Sequence, residues 1–282
     1  MSSSHQLFSL EGQTIVVTGG YGQIGRAMTA GLLDAGASVA VLEPEPSEER
    51  TGAAFGPRAA DPRLGVFAAD VTRRDTLEAA LASITKRYSC PSGLINNAAL
   101  DSPPNSPASE NGPFEDYPEE SWDKVMSVNA KGVFLCSQVF GKAMADEGRG
   151  SIANVASIYG AVSPDQSLYQ YRRERGEVFF KPVAYSASKS ALYNLTRYIA
   201  VYWGPRGVRA NTLTFAGVYN QQDPEFLEQY SRKIPLRRRQ MEHLRSMASP
   251  ADYVGPTVFL MSDASSYMTG ADLRIDGGFL AM

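Results

Sequence analysis

The sequence predicts an α/β fold: a doubly wound parallel sheet of about seven strands, with helices on both faces, in a single domain. Three observations carry this. Apolar, β-rich runs alternate with stretches whose apolar residues recur every three or four positions, from Gln13 to the end. A glycine-rich turn links the first run to the first helical stretch. No linker, repeat or compositional break interrupts the series, so residues 1–282 read as one unit.

The expected strands are Thr14–Thr18, Ser38–Glu43, Gly65–Ala69, Gly93–Asn97, Ser151–Ala156, Val208–Leu213 and Ala271–Ile275. Between them, helical spacing covers Ile24–Leu33, Thr76–Tyr88, Trp122–Met144, Tyr185–Tyr202 and Asp252–Met261. Such alternation favours right-handed crossovers and a ligand crevice beyond the C-terminal strand ends. Three segments depart from it. Pro44–Pro62 reads as a loop with one helical turn, and Leu100–Pro118, rich in Pro, Ser and Asn, as a surface loop. Gly160–Pro182 carries the charged run Tyr171–Arg175 and is long for a connection, a length usually associated with function.

A net charge of −3 gives no nucleic-acid or anionic-membrane footprint. No apolar stretch approaches a membrane span, and the N-terminus lacks the features of a signal peptide. Cys90 and Cys136 have no metal-ligand spacing and read as small hydrophobes in a reducing compartment. These features predict a cytoplasmic protein with no metal, membrane or nucleic-acid partner.

The turn Thr18-Gly19-Gly20-Tyr21-Gly22-Gln23-Ile24-Gly25 follows the first strand and opens the first helix. Glycines there admit positive φ and let backbone N–H groups approach a pyrophosphate, as in Rossmann-type sites. Glu43 ends the second strand 18 residues after Gly25, where a carboxylate accepts ribose hydroxyls and repels a 2′-phosphate. NAD is therefore expected over NADP. Further on, Tyr185 and Lys189 stand at i and i+4, one face of a helix, where an ammonium can stabilise a phenolate and lower the phenol pKa.

With its neighbours, this chain resembles the short-chain dehydrogenase/reductase family over nearly its whole length. The glycine-rich turn is similar to the family's TGxxxGxG. Asp70-Val71 matches the acidic adenine contact after strand three, and Asn96-Asn97-Ala98-Ala99 the NNAG segment. Asn129, Ser157, Tyr185 and Lys189 match the catalytic tetrad, and Gly270 with Asp276-Gly277-Gly278 the closing strand. The sequence departs from the pattern at Gln23, Ala99 and Phe215-Ala216-Gly217, and in the long gap between Ser157 and Tyr185.

The resemblance implies a hydride transfer at a secondary alcohol or ketone. Tyr185 would be the acid/base, Lys189 would lower its pKa and bind the ribose, Ser157 would donate to the substrate oxygen, and Asn129 would hold a relay water. Cofactor contacts would come from Gly19, Tyr21, Gln23, Ile24, Glu43, Asp70, Val71, Asn97, Ala98, Ala99, Tyr185, Lys189 and Val218. Pro182–Trp203 and Gly217–Phe226 look like a bacterial sugar and nucleotide-sugar oxidoreductase subgroup. Arg172, Arg173 and Arg175, with Arg237, Arg238, Arg239 and Arg245, suggest an anionic sugar derivative. Candidate substrate contacts are Ser157, Tyr159, Arg173, Asn220, Arg237 and Arg245. Residues around 160–183 and 219–248 are expected to form a lid, and Tyr169, Tyr171, Phe179 and Phe180 its walls. A homo-oligomer, tetramer or dimer, is expected through Trp122–Met144 and Tyr185–Tyr202. Two other readings are a general carbonyl or 3-oxoacyl reductase using NADPH and a non-catalytic dinucleotide-binding regulator.

Overall fold

A computed structural model describes residues 4–101, 108–236 and 247–282. Seven strands form one parallel sheet in the order β3-β2-β1-β4-β5-β6-β7. They are β1 (Thr14–Thr18), β2 (Ser38–Glu43), β3 (Leu64–Ala68), β4 (Gly93–Asn96), β5 (Gly150–Ser157), β6 (Val208–Phe215) and β7 (Asp272–Ile275). The order reverses between β1 and β4, which opens a crevice at their C-terminal ends.

The helices are α1 (Ser4–Phe8), α2 (Gln23–Asp34), α3 (Glu48–Phe55), α4 (Arg74–Arg87), α5 (Glu119–Met126), α6 (Val133–Asp146), α7 (Ile158–Ala161), α8 (Gln170–Glu174), α9 (Val183–Trp203), α10 (Pro224–Arg232) and α11 (Val254–Met261). One apolar layer packs Leu77, Leu135, Phe140, Met144, Ile199 and Trp203 of α4, α6 and α9 on one sheet face. The other packs Met28, Leu32, Leu33 and Leu260 of α2 and α11 against strands such as Ile15 and Leu213. Central strands are buried on both faces, so they are near-continuous runs of Val, Ile, Leu and Ala.

The structure corrects several expected boundaries. The 44–62 stretch is a helix followed by a 3₁₀ turn, Gly56–Ala60, rather than a loop. Ser47 caps that helix by accepting from the Arg50 N–H, and Glu48 and Glu49 suit its positive end. The expected single helix over 122–144 is interrupted by a π turn at Ser127–Gly132, a feature frequent at functional sites. The 252–261 helix begins with a 3₁₀ turn, Pro250–Tyr253, closed by a Ser249/Asp252 capping box. Cys136 is buried as expected, whereas Cys90 is only half-buried; both are free thiols.

The 160–182 insertion folds into short helical turns and closes on itself at its base. The Gln166 side chain donates to the Lys181 carbonyl at 3.1 Å and accepts the Lys181 N–H at 2.9 Å. Its apolar side packs Leu168, Tyr169 and Phe179 against Phe226, Leu227 and Tyr230 of α10.

Candidate active site

The glycine-rich turn sits at the crevice. Gly19 has φ +67°, and a Cβ there would lie 2.9 Å from the Ala98 Cα. On Gly25 a Cβ would meet the Gly19 carbonyl oxygen at 2.3 Å, so the turn tolerates no side chain at either position. Asn97 fixes the turn from β4, its Nδ2 donating to the carbonyls of Thr18 and Gly19, both at 3.0 Å. The Thr18 hydroxyl accepts from the N–H groups of Asn97 and Ala98. Helix α2 opens at Gly22 with no side-chain cap, which leaves the N–H groups around Gln23 and Ile24 for an anion.

Glu43 reaches the same turn. Its Oε1 accepts the Tyr21 N–H at 2.7 Å, and burial pushes its carboxyl up against the opposing pull of that bond and of Arg50. The Tyr21 hydroxyl bonds Thr51 at 2.7 Å, and the Arg50 guanidinium lies 5.3 Å from the Tyr21 ring centroid. Arg50 escaped the sequence reading because α3 did. Past β3, Asp70 accepts from the Thr72 N–H and hydroxyl, and Val71 packs where Gly132 leaves no room for a Cβ. Ala99 is exposed beside Leu100. The uncapped helix start and the glycines of the turn fit a pyrophosphate, and the Glu43 carboxylate fits a ribose, so the residues present suit a nicotinamide dinucleotide.

The four residues matched to the tetrad converge beyond β5. Ser157 ends that strand, and its hydroxyl accepts the Tyr159 N–H at 3.2 Å, starting α7. Tyr185 and Lys189 share one face of α9. The Lys189 Nζ donates to the Val155 carbonyl at 2.7 Å and lies 6.0 Å from the Tyr185 ring centroid. Burial pulls its ammonium down to about 8, with Asp101 opposing. Asn129, fully buried in the π turn, donates from Nδ2 to the Leu100 carbonyl at 2.9 Å and to the Ser188 hydroxyl at 3.0 Å. Its Oδ1 accepts the Leu100 N–H at 2.7 Å.

The expected lowering of the Tyr185 pKa by Lys189 does not hold in this arrangement. Desolvation pushes the phenol well above its ordinary value, Asp101 adds to the rise, and Ser157 opposes it. The Lys189 ammonium is turned to a carbonyl rather than to the phenol oxygen. Asp101 and its ion-pair partner Lys181 were also missed, because the chain brings them together across 80 positions.

The candidate substrate residues divide. Tyr159 is buried beside Tyr169, and burial raises its phenol pKa steeply. Arg173 is spent inside the insertion, donating to the carbonyls of Phe179 at 2.9 Å and Gln166 at 2.8 Å. Arg172 pairs with Glu177 and Arg175 with Glu225. Asn220 is exposed after β6, in a loop where Gln221 has φ +57° and Gln222 bonds both the Asn220 N–H and the Val218 carbonyl. Gln23 donates to the Tyr219 carbonyl at 3.0 Å, linking the glycine-rich turn to this loop. Arg237, Arg238, Arg239 and Arg245 lie outside the described residues.

A family model described as enoyl-(acyl carrier protein) reductase matches residues 19–280. The chain belongs to the short-chain dehydrogenase/reductase family, and is an oxidoreductase acting on alcohol groups with a nicotinamide dinucleotide. It is 32% identical over 279 residues to galactitol 2-dehydrogenase of Rhizobium johnstonii, covering 98% of both chains. Gluconate 5-dehydrogenase of Gluconobacter oxydans is 31% identical, again over 98% of both. A short chain dehydrogenase from Leptospira borgpetersenii, solved with bound NAD+, is 30% identical with a TM-score of 0.81, covering 99% of this chain and 96% of that one. The regulator reading therefore falls.

Proposed function

We propose that this enzyme oxidises a secondary alcohol of a sugar or polyol with NAD, using Tyr185 as the acid/base. The observation that carries the reading is the convergence of Ser157, Tyr185 and Lys189 at the β5 end, on the same edge of the parallel sheet as the glycine-rich turn. The likeness to galactitol 2-dehydrogenase and gluconate 5-dehydrogenase supports a polyhydroxyl substrate.

When bound, the dinucleotide supplies the acceptor for the carbinol hydride. The turn residues Gly19, Tyr21, Gln23 and Ile24, with Glu43, Asp70, Val71, Asn97, Ala98, Ala99 and Val218, would hold it. Tyr185 takes the hydroxyl proton, and the Ser157 hydroxyl donates to the substrate oxygen. Lys189 stands on the same helix face, 6.0 Å from the Tyr185 ring centroid, and would bond the ribose and lower the phenol pKa once its ammonium turns from the Val155 carbonyl. The Asn129 amide N–H groups are both donated, to the Leu100 carbonyl and the Ser188 hydroxyl, so the side chain fixes the wall of the site, while its Oδ1 keeps one lone pair for the expected relay water.

The insertion and the segment after β6 act together as a lid. Tyr169 stacks on Phe226 at 5.4 Å, the Tyr171 hydroxyl donates to Asp223 at 2.7 Å, and Lys233 pairs with Asp165 at 2.7 Å. The arginines of the insertion are committed within this lid and lend no support to an anionic preference, while Arg237, Arg238, Arg239 and Arg245 lie outside the described residues. We read the enzyme as a cytoplasmic homo-oligomer. No helix among the described residues is long and apolar enough to cross a membrane, and both cysteines are free.

NADP is the second reading, favoured by the closeness of Arg50 to Tyr21 and Glu43. Steady-state rates with alditols, aldonates and apolar ketones, each with NAD and NADP, test both. NAD-dependent alditol oxidation is expected, and Glu43→Ala should erode the NAD preference at least tenfold. Activity confined to apolar ketones and NADPH would overturn the proposal.

A further inference from the structure

We infer that Asp101 and Lys181 form a charged wall of the substrate chamber that selects uncharged polyhydroxyl substrates, with the Asp101 carboxylate accepting their hydroxyls. This rests on the proposed polyol activity and names the residues that read the substrate.

Both partners are held by their backbones. Asp101 directly follows Leu100, whose N–H and carbonyl are both bonded by the buried Asn129. Lys181 is gripped in the same way by Gln166, at the base of the insertion. Its Nζ lies 5.0 Å from the Tyr185 ring centroid and pairs with the Asp101 carboxylate. The pair therefore spans from the end of β4 to the start of α9, across the edge of the candidate catalytic residues.

Exposure decides which partner meets the substrate. The Lys181 side chain is 9% exposed and that of Asp101 49%, so the ammonium lies behind and the carboxylate in front. Its partner Lys181 lies against the Tyr185 ring, so the ion pair holds the Asp101 carboxylate at the Tyr185 end of the site, where its charge also acts on Lys189. An ionised carboxylate offers about four acceptor sites and no donor. It suits neighbouring hydroxyls and repels a carboxylate or phosphate. Among the described residues, the insertion's arginines are turned to carbonyls and glutamates, and the charge that offsets Asp101, the Lys181 ammonium, lies behind it.

The test uses the whole enzyme with NAD and three alcohols: galactitol, gluconate and 2-butanol. Wild type should favour galactitol over gluconate. Asp101→Asn, which keeps the side-chain shape, should lower the galactitol-to-2-butanol ratio of kcat/KM by about 10- to 100-fold, the range for losing hydrogen bonds to a charged group. The loss should fall mainly in KM, and the galactitol-to-gluconate ratio should narrow. Lys181→Met, which leaves the carboxylate unbalanced, should disfavour gluconate further. Fluorescence titration of NADH reports that each variant is folded. If wild type oxidises galactitol but Asp101→Asn leaves both ratios unchanged, or if wild type favours gluconate, the inference is wrong while the polyol reading stands. A wild type that oxidises neither polyhydroxyl compound with NAD removes the proposed function itself, and the inference with it.

Discussion

Asn129 holds Leu100 at both of its backbone groups, its Oδ1 2.7 Å from the Leu100 nitrogen and its Nδ2 2.9 Å from the carbonyl oxygen. A third bond, to Ser188, ties the same amide to α9. Three elements thus meet on one fully buried side chain. Asn129→Leu strands these partners, and each unsatisfied buried group costs roughly 1–3 kcal/mol. Urea denaturation should show a loss of several kcal/mol, accompanied by a fall in kcat. Asn129→Asp can accept from Leu100 but cannot donate to its carbonyl, so it should rescue only part. Unchanged stability in Asn129→Leu would show that the clamp contributes nothing.

Tyr185→Phe removes the phenol oxygen beside Ser157 and little volume. Turnover should fall by about 10²- to 10⁴-fold, the usual loss of a general acid/base, while NADH binding measured by fluorescence stays within about twofold. A variant with a tenth of the wild-type rate would disprove the acid/base role.

The buried ammonium of Lys189 makes a signed prediction about stability. Its folded pKa, about 8, lies below the ordinary lysine value of 10.5. Below pH 8 both states carry the proton, and the folded state bears the full cost of a buried charge. Between about 8 and 10.5 the unfolded chain binds more protons, so this group's contribution to stability rises with pH. Denaturant curves for wild type and Lys189→Met should therefore differ most in the mutant's favour near pH 7, with the gap shrinking towards pH 10. A gap independent of pH would mean that the lysine titrates normally.

Helices α5, α6 and α9 expose Trp122, Phe134, Tyr198, Val201 and Tyr202, with Val201 at 80% and Tyr198 at 65%. A symmetric interface would cover this apolar surface. Sedimentation velocity at micromolar concentration should show a dimer or tetramer, and Val201→Glu with Tyr202→Glu should weaken it. A monomeric wild type would contradict the expectation.

The strands and the long helices were legible because their spacing is dictated by burial, and the turn and tetrad because their chemistry admits few residue types. Helix α3 lies where Pro and Glu content favours a loop, although Ser47-Glu48-Glu49 carries a usable start signal. The π turn around Asn129 leaves no compositional mark, since it arises from a shift of backbone bonds. The Tyr185–Lys189 spacing correctly gave a shared face but not the direction of the lysine head, which turns to Val155. Asp101 and Lys181 were invisible for a simpler reason: only the folded topology makes them neighbours.

At the base of the insertion one glutamine amide bonds both backbone groups of Lys181, which makes that point a mechanical fuse between loop and helix. Mechanically, the tether separates the body of the insertion from α9, so a length change beyond it would be felt first at the contacts with α10 and not at the reacting groups. The insertion is thus a part that could be re-cut for another substrate without redrawing the reaction centre, so long as Gln166 keeps its two bonds to Lys181.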